Sequence, residues 1–322
     1  MFAVHNHTSG FYAKSENLYK PPHGRAVYGG QVIAQAMLVA SKSIDRYFHC
    51  NSIHCYFLLP GNVDADITYT PNTLRTGNSF VWLEISARQN DKEIFRMMVS
   101  FAKLPHDARF LSFQTRPQFL RSKLPRPDEL ISVDAYLETM RSSIDAEFAA
   151  SIATYSTYPV SVEIRIPHRA FLRETAEFRC EGLAIFDGDE FQVKDKPIVR
   201  RMWMKIPENS KSGEAAAMLA FLSDWPLLGT SVVPYGRTLT RKSHVRKNVH
   251  DKELLMMASL DHAMWFHGNL EDRLTGWWLF EMTCRVLRDG RATVEGHMWD
   301  ESGLLLATLV QEGVVRVVNS KL

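Results

Sequence analysis

Residues 29–45 read GGQVIAQAMLVASKSID, and this stretch predicts the helix on which the fold is built. Small apolar residues from Val32 to Ala40 recur near a period of 3.6 residues, which is the spacing of one helix face. Gly29 and Gly30 precede that period, so no side chain covers the amides of the first turn. The predicted helix therefore begins with backbone N–H groups that another part of the protein can approach.

Strand-length segments follow this helix as far as residue 103: IHCYFLLPG, DADITYTPNTLR, SFVWLEISARQN and KEIFRMMVSFAK. They are rich in β-branched and aromatic residues, and Pro-Gly, Thr-Gly-Asn and Gln-Asn-Asp turns separate them. The first third of the chain therefore predicts one helix followed by a run of antiparallel strands.

The second half repeats this order, from FLSDWPLLGT at 221–230 to a last strand that contains VQEGVV. The turn LRTGNSF at 74–80 resembles LRDGRAT at 287–293, and matching the last strands places Ser100 at the position of Gln311. A repeated order of this kind predicts an α+β duplication, with a long sheet curled around a buried helix in each half. Two generic hairpin-rich domains without common ancestry are the alternative.

The domain organisation follows from this repeat. We expect an N-terminal unit at 1–104, a connector with a helix at 105–158, and a C-terminal unit at 159–322. The alternating strand VSVEIRIP at 160–167 opens the last unit, and the charged segment 173–201 is interpreted as a surface excursion.

Composition excludes several classes of protein. The 322-residue chain has 45% hydrophobic and 23% charged residues, as a globular protein does, and its net charge of +2 argues against a nucleic-acid surface. Its four cysteines show no zinc-like spacing, and we expect no metal, no cofactor and no disulfide framework. We find neither a secretory signal nor a run of about 18 apolar residues, so no membrane span is expected.

The chain ends in Ser320-Lys321-Leu322. A terminal Ser-Lys-Leu is the peroxisomal address that an import receptor reads. The sequence therefore predicts the peroxisomal matrix as the location and the import receptor as a partner.

No phosphate loop, G-x-S-x-G elbow, H-E-x-x-H helix or dinucleotide fingerprint is present. What remains are polar residues set into apolar segments, where burial is costly unless hydrogen bonds compensate. Asp224 is one of them, and with Pro226 two residues later it is interpreted as a helix N-cap, a role shared with Ser223. Gln311 is a second one, in a long apolar strand.

Ser259 and Asp261 lie in SLDHAMWFHG at 259–268. Regular alternation would place Ser259 and Asp261 on one strand face and His262 on the other, which excludes an Asp261–His262 dyad. Isolated histidines such as His54, His262 and His267 are more often core or rim residues than catalysts.

Five segments resemble the acyl-CoA thioesterase II family, and in particular its peroxisomal branch, whose members end in Ser-Lys-Leu. They are VYGGQVIAQAM, IHCYFLLPGN, LRTGNSFVWLEISARQNDKEIF, SLDHAMWFH and VQEGVVR, in order along nearly the whole chain. The resemblance implies a double hotdog fold, acyl-CoA as the substrate, and a homo-oligomer. It also implies that an Asp, a hydroxyl residue and a Gln hold the water that attacks the thioester.

By this resemblance the three catalytic residues fall on Asp224, Ser259 and Gln311. Phe221 replaces the tyrosine of the first family motif. The chemistry is reasonable, since a thioester is reactive enough for a carboxylate to activate water while two neutral groups orient it. We expect possible support from Asp261, His54, Gly30 and Gln31, and from helix N-terminal amides that polarise the carbonyl.

Two other functions stay open at this point. One is an enoyl-CoA hydratase on the same fold, which needs an Asp and a His converging on one face. The other is an acyl-CoA-binding protein without catalysis, whose three polar residues would be vestigial.

Overall fold

The computed structural model describes residues 2–8, 10–21, 24–103, 111–115, 117, 126–132, 135, 163–166, 184–187, 190–193, 197–205, 214–235, 239–240, 252–270, 273 and 276–319. The predicted connector helix, most of the predicted excursion at 173–201 and the terminal Ser320-Lys321-Leu322 lie outside these residues.

Two α-helices and a series of strands make up the described chain. The N-terminal elements are β1 (His5–His7), β2 (Gly10–Ala13), α1 (Gly29–Lys42), β3 (Phe48–Phe57), β4 (Ile67–Thr76), β5 (Phe80–Gln89) and β6 (Lys92–Lys103). Next come β7 (Ile131–Ser132), β8 (Glu163–Ile166), β9 (Ala184–Asp187), β10 (Glu190–Val193) and β11 (Ile198–Lys205). The C-terminal elements are α2 (Ala215–Gly229), β12 (Leu239–Thr240), β13 (Lys252–Ser259), β14 (Asp261–Phe266), β15 (Trp277–Arg288), β16 (Arg291–Asp300) and β17 (Leu305–Asn319). Short 3-10 turns lie at Ser15–Asn17, Pro127–Glu129 and Thr230–Tyr235.

The two halves have the same topology. In the first, the strand order is β2-β4-β5-β6-β3 around α1, and in the second it is β11-β15-β16-β17-β14 around α2. Antiparallel pairing of β3 with β14, in which Tyr56 lies opposite Asp261, joins them into one continuous sheet. Because α1 and α2 also pack against each other, both helices lie in one shared core. The predicted double hotdog is confirmed.

Strand register corrects the match between the last strands. Leu83 and Val294 are the fourth residues of β5 and β16, and they pair with Val99 and Gln311 respectively. Val99 is therefore the counterpart of Gln311, and the predicted match with Ser100 is wrong by one residue. One residue matters here, because successive side chains of a strand point to opposite faces.

The interpretation of Asp224 as a helix N-cap is also wrong. Helix α2 begins at Ala215, so Asp224 is its tenth residue, and Pro226 lies inside the helix. The apolar residues before Ser223 continue the helix towards its start instead of preceding it. Asp224 therefore caps no helix terminus. Packing inside the sheet stabilises this part of α2.

Helix α2 and the turn after it form a long apolar segment, which the sequence patterns did not predict. The window Ala215–Val232 has a mean hydropathy of 1.3 and is long enough to pass for a membrane span, but 76% of it is buried inside the protein. It is therefore the core helix of the second half.

Strand β11 corrects the predicted excursion at 173–201. It begins at Ile198, inside that segment, and pairs with β15 along its whole length. The end of the predicted excursion is thus part of the main sheet. Strand β8 confirms the centre of the strand predicted at 160–167.

Candidate active site

Asp224 lies at the junction between the two halves. Its side chain is buried between α2, the start of α1 and strands β13 and β17. The two carboxylate oxygens have different partners. Oδ1 accepts hydrogen bonds from Ser259 Oγ at 3.0 Å and from Gln311 Nε2 at 2.6 Å, while Oδ2 accepts one from the Gly30 N–H at 2.9 Å.

Gln311 and Ser259 also contact each other. Gln311 Nε2 donates to Ser259 Oγ at 2.9 Å, so one amide group bridges the carboxylate and the hydroxyl. Gln311 Oε1 is buried and has no hydrogen-bond partner among the described residues. The structure thus brings together the three residues that the family resemblance singled out, although they are far apart in sequence.

Ser259 reaches this cluster because the strand is interrupted after it. Strand β13 ends at Ser259, and Leu260 donates its N–H to Glu312 O and accepts from Phe57 N before β14 begins. As a result Ser259 and His262 both point towards α2, one to Asp224 and the other to Ser223. The predicted alternation, with Ser259 and Asp261 on one face, is therefore wrong.

The first turn of α1 approaches Asp224 closely. A Cβ at Gly29 would lie 2.8 Å from Asp224 Oδ2, and one at Gly30 would lie 2.5 Å from Phe221 O. Tyr28 fixes the same junction, because its hydroxyl donates to Phe221 O at 2.6 Å. The start of α1 is open to approach, as predicted, and α2 packs against it.

Two opposing effects act on the pKa of Asp224. Burial raises it above the ordinary value of 3.8, while the hydrogen bonds from Ser259, Gln311 and Gly30 lower it. The net shift is upward, because burial is the larger effect. A carboxylate with a raised pKa is a stronger base than an exposed one, and the positive end of α1 still favours its charged form.

His262 forms a second buried pair beside the cluster. Its Nε2 lies 3.0 Å from Ser223 Oγ. Since that hydroxyl donates to Ala220 O, it accepts the Nε2 proton of a neutral imidazole. Burial lowers the pKa of His262 to about 4, so the ring is uncharged at neutral pH. No local sequence pattern pairs Ser223 with His262.

The other predicted support residues have separate environments. Asp261 accepts the Glu312 N–H at 2.7 Å, so it forms no dyad with His262 and holds the backbone beside Gln311. His54 is exposed and contacts Trp265 edge-to-face. Gln31 is buried, but it binds the backbone of Asn17 and Tyr19.

His267 lies apart from the cluster, with Nε2 3.0 Å from Thr308 Oγ1. Within the described ranges, no three His, Cys, Asp or Glu side chains form a group that could bind a metal ion.

Comparisons with known proteins agree with this architecture. A sequence model of the acyl-CoA thioesterase N-terminal domain matches residues 19–102, and one of the C-terminal domain matches residues 158–315. The chain is 27% identical over 310 residues to human acyl-coenzyme A thioesterase 8, covering 94% of this chain and 85% of that protein. It is 27% identical to peroxisomal acyl-coenzyme A thioester hydrolase 1 of Saccharomyces cerevisiae, covering 92% and 87%.

A solved structure shows the same fold. The acyl-CoA thioesterase II TesB2 of Mycobacterium marinum superposes with a TM-score of 0.67 at 22% identity, covering 98% of this chain and 97% of that one. Two fused sheets, each around a helix, define a double hotdog protein. Because the thioesterase sequence models match both halves, the chain belongs to the acyl-CoA thioesterase family, and it is a thioester hydrolase.

Proposed function

We propose that Asp224, Ser259 and Gln311 hold the water that hydrolyses the acyl-CoA thioester. The observation that carries this proposal is that Asp224 Oδ1 receives hydrogen bonds from both Ser259 and Gln311 while the carboxylate stays buried. Asp224 is the general base, and its raised pKa suits that role. Gln311 Oε1, which is free of partners among the described residues, accepts a hydrogen from the water.

The reaction then proceeds by direct attack. The water oxygen forms a bond to the thioester carbon as its proton moves to Asp224. Negative charge develops on the carbonyl oxygen as this bond forms, while the positive end of α1 faces Asp224 through the Gly30 amide. When the tetrahedral intermediate collapses, the C–S bond breaks and the CoA thiolate takes the proton back from Asp224. Free fatty acid and CoA leave, and the enzyme returns to its initial state.

The site geometry disfavours the hydratase alternative. Such an enzyme needs an Asp and a His on the same substrate, but His262 contacts Ser223 and Asp261 binds the Glu312 backbone. Release of free thiol from a saturated acyl-CoA, without loss of the conjugated absorbance of an enoyl-CoA, is the expected result. The opposite result would favour the hydratase.

Substitution of Ser259 tests its role in orienting the water. Ser259→Ala removes a hydrogen bond to a charged group, and we expect kcat to fall roughly 10- to 100-fold, as the loss of about 1.5–3 kcal/mol implies. Ser259→Thr keeps the hydroxyl and should retain most of the activity. If the alanine and threonine variants lose activity equally, the hydroxyl is not what the site uses. A free-thiol release assay measures all three proteins.

The pH profile tests the base. We expect kcat/KM to rise with pH through the raised pKa of Asp224 and to level off above it, because the carboxylate must be ionised. Gln311→Leu removes one of the hydrogen bonds that lower this pKa, so the rise should move to higher pH. His262→Phe should leave its position unchanged, since His262 is neutral above about pH 4. A rise that disappears in His262→Phe would contradict the assignment.

We also propose that the protein works in the peroxisomal matrix. Ser320-Lys321-Leu322 matches the import signal, and the name of the yeast relative supports the same location. A fluorescent protein fused to the N-terminus should colocalise with a peroxisomal matrix marker, and deletion of Leu322 should make the fluorescence diffuse. Punctate fluorescence that survives the deletion would show that the import receptor does not read this tripeptide.

Two further features belong to this proposal. The unit boundaries 1–104, 105–158 and 159–322 fit the strand topology, which begins anew around α2.

A homo-oligomer is supported by large apolar side chains exposed on the outer sheet face where the halves join, among them Tyr56, Met98 and Trp265.

A further inference from the structure

The register between the halves locates a second position that corresponds to the active site. Ser259 pairs with Gly313, two residues after Gln311, and Cys50 pairs with Phe101, two residues after Val99. Because Val99 is the counterpart of Gln311, Cys50 is the counterpart of Ser259. Both strands lose their regular register directly afterwards, at Leu260 in one half and between Cys50 and Ser52 in the other.

The helices extend this correspondence. Asp224 is the tenth residue of α2, and Leu38 is the tenth residue of α1. The first half therefore has Leu38, Cys50 and Val99 where the second half has the carboxylate, hydroxyl and amide of the active site. Since α1 and α2 pack against each other at both positions, the molecule contains two equivalent places, and the one in the first half lacks the polar residues.

A cavity of about 370 Å³ lies at this second place. Leu38 and Cys50 line it, together with Phe101 and, from the start of α2, Ala217. The first turn of α2 thus lines this cavity, just as the first turn of α1 contacts Asp224. The volume lies within the range of about 300–1,000 Å³ that is usual for small-molecule sites.

The rim of the cavity is polar. Ser41, Asp45, Arg46 and His49 lie there, and Asp45 Oδ1 is hydrogen-bonded to the Tyr47 backbone. Arg46 stacks over the Tyr47 ring and donates to its hydroxyl at 3.4 Å, which leaves further guanidinium N–H groups for an anion. An apolar interior below a rim that carries the Arg46 guanidinium suits an aliphatic chain with an anionic head.

We propose that this cavity is a second, non-hydrolytic binding site for the aliphatic chain of a fatty acid or a fatty acyl-CoA. Both ligands share the chain and an anionic head, and both are present during turnover of an acyl-CoA thioesterase. A bound thioester would stay intact, because Leu38 cannot act as a base and Val99 cannot orient water. Desolvation also raises the pKa of the Cys50 thiol well above its usual range, so it stays protonated and is a poor nucleophile.

Binding stoichiometry tests this proposal. Calorimetric titration would use S-hexadecyl-CoA, a thioether that hydrolysis cannot cleave, then hexadecanoate below its micelle concentration, and then CoA alone. Ser41→Trp fills the cavity from its exposed rim, and Ala217→Phe fills it from the opposite wall. Lys42→Trp is the matched control, because it introduces the same side chain one residue further along at an exposed position outside the lining.

We expect two chain-binding sites per molecule in the wild type and in Lys42→Trp, and one in each cavity variant, with kcat/KM within about twofold of the wild type. The thioether and the acid separate acyl-CoA from fatty acid as the occupant. A single site in the wild type for both probes would overturn the proposal. It would also be overturned if both sites persisted in the two cavity variants, or if the cavity variants lost CoA binding but kept hexadecanoate at both sites.

Joint loss of the second site and of thioesterase activity in both variants, while they remain folded, would likewise overturn it, because the cavity would then be part of the catalytic path. The inference rests on the thioesterase activity and not on the roles of individual catalytic residues. An Asp224→Asn protein should therefore still bind two chains, so failure of the catalytic assignment and failure of this one are distinguishable.

Discussion

Asp224→Asn is expected to lower kcat by about 10³-fold or more, which is the upper range for loss of a general base. The amide keeps the size of the carboxylate, and its single oxygen can still accept the Gly30 N–H, while its NH2 group takes the place of Oδ1 beside Ser259 and Gln311. It cannot take a proton from water at neutral pH. KM should change much less than kcat, because Asp224 is expected to act on the water and not on the CoA moiety. Release of free thiol from acyl-CoA measures both constants.

Asp261→Asn is the matched control for this substitution. Asp261 is the neighbouring carboxylate, but it accepts the Glu312 N–H and makes no hydrogen bond to Asp224, Ser259 or Gln311 among the described residues, so its amide should keep most of the activity. Wild-type turnover in Asp224→Asn would contradict the assignment. So would an equal loss in both variants, because the effect would then follow from any change of charge nearby.

The stability of the Asp224→Asn variant separates lost chemistry from lost folding. Because the folded pKa of Asp224 is raised, the folded protein binds more protons than the unfolded chain between pH 3.8 and the raised pKa. The free energy of unfolding therefore falls as pH rises through that window, and above it the buried charge is a net cost. Thermal unfolding at pH 7 should show that the neutral variant stays folded, because removal of the buried charge offsets the hydrogen bonds to Oδ1 that the amide cannot accept.

Much of the fold follows from local sequence patterns. The period in residues 29–45 predicted α1, which ends at Lys42, and the turns at 74–80 and 287–293 both became hairpins between long strands. These features are set by helix periodicity and turn residues, which act over a few positions. The repeated order of such elements was enough to predict the duplication.

Features that depend on tertiary contacts were harder to predict. The interruption at Leu260 arises because its backbone bonds to two strands, β3 through Phe57 and β17 through Glu312. No local pattern shows this, so strict alternation placed Ser259 on the wrong face. The start of α2 was predicted wrongly for a related reason. An all-apolar core helix has no amphipathic period to mark its limits.

The active site could be predicted from the sequence only in part. Asp224, Ser259 and Gln311 are separated by 35 to 87 positions, and it was the family resemblance, not spacing, that grouped them. The residues alone suggested that polar groups in apolar segments need partners, and the structure supplies these partners. Gly30 was expected only as a possible support residue without an assigned partner, and its amide donates to Asp224. A backbone donor of this kind is invisible until the packing of both helices is known.

Gly30→Ala is the second substitution with a large expected effect. The new Cβ would lie 2.5 Å from Phe221 O and 2.7 Å from the Tyr28 ring, so α1 and α2 would have to move apart. Overpacking of this kind typically costs about 1–3 kcal/mol of the free energy of unfolding. The same movement would displace the Gly30 N–H from Asp224, and a shift of about 1 Å at a reacting group can cost roughly 100-fold in rate.

Gly61→Ala and Gly29→Ala give graded controls for this clash. At Gly61 the nearest atom to a new Cβ is Val27 Cβ at 3.2 Å, away from the cluster, so activity should stay within about twofold of the wild type. At Gly29 the new Cβ meets Asp224 Oδ2 and the Phe57 ring; the ring can rotate, but three hydrogen bonds hold the carboxylate, so kcat should fall while the contact between α1 and α2 is kept. Phe221 O is backbone and cannot rotate away. A Gly30→Ala enzyme with wild-type kcat would therefore show that the contact between α1 and α2 does not fix the position of the carboxylate.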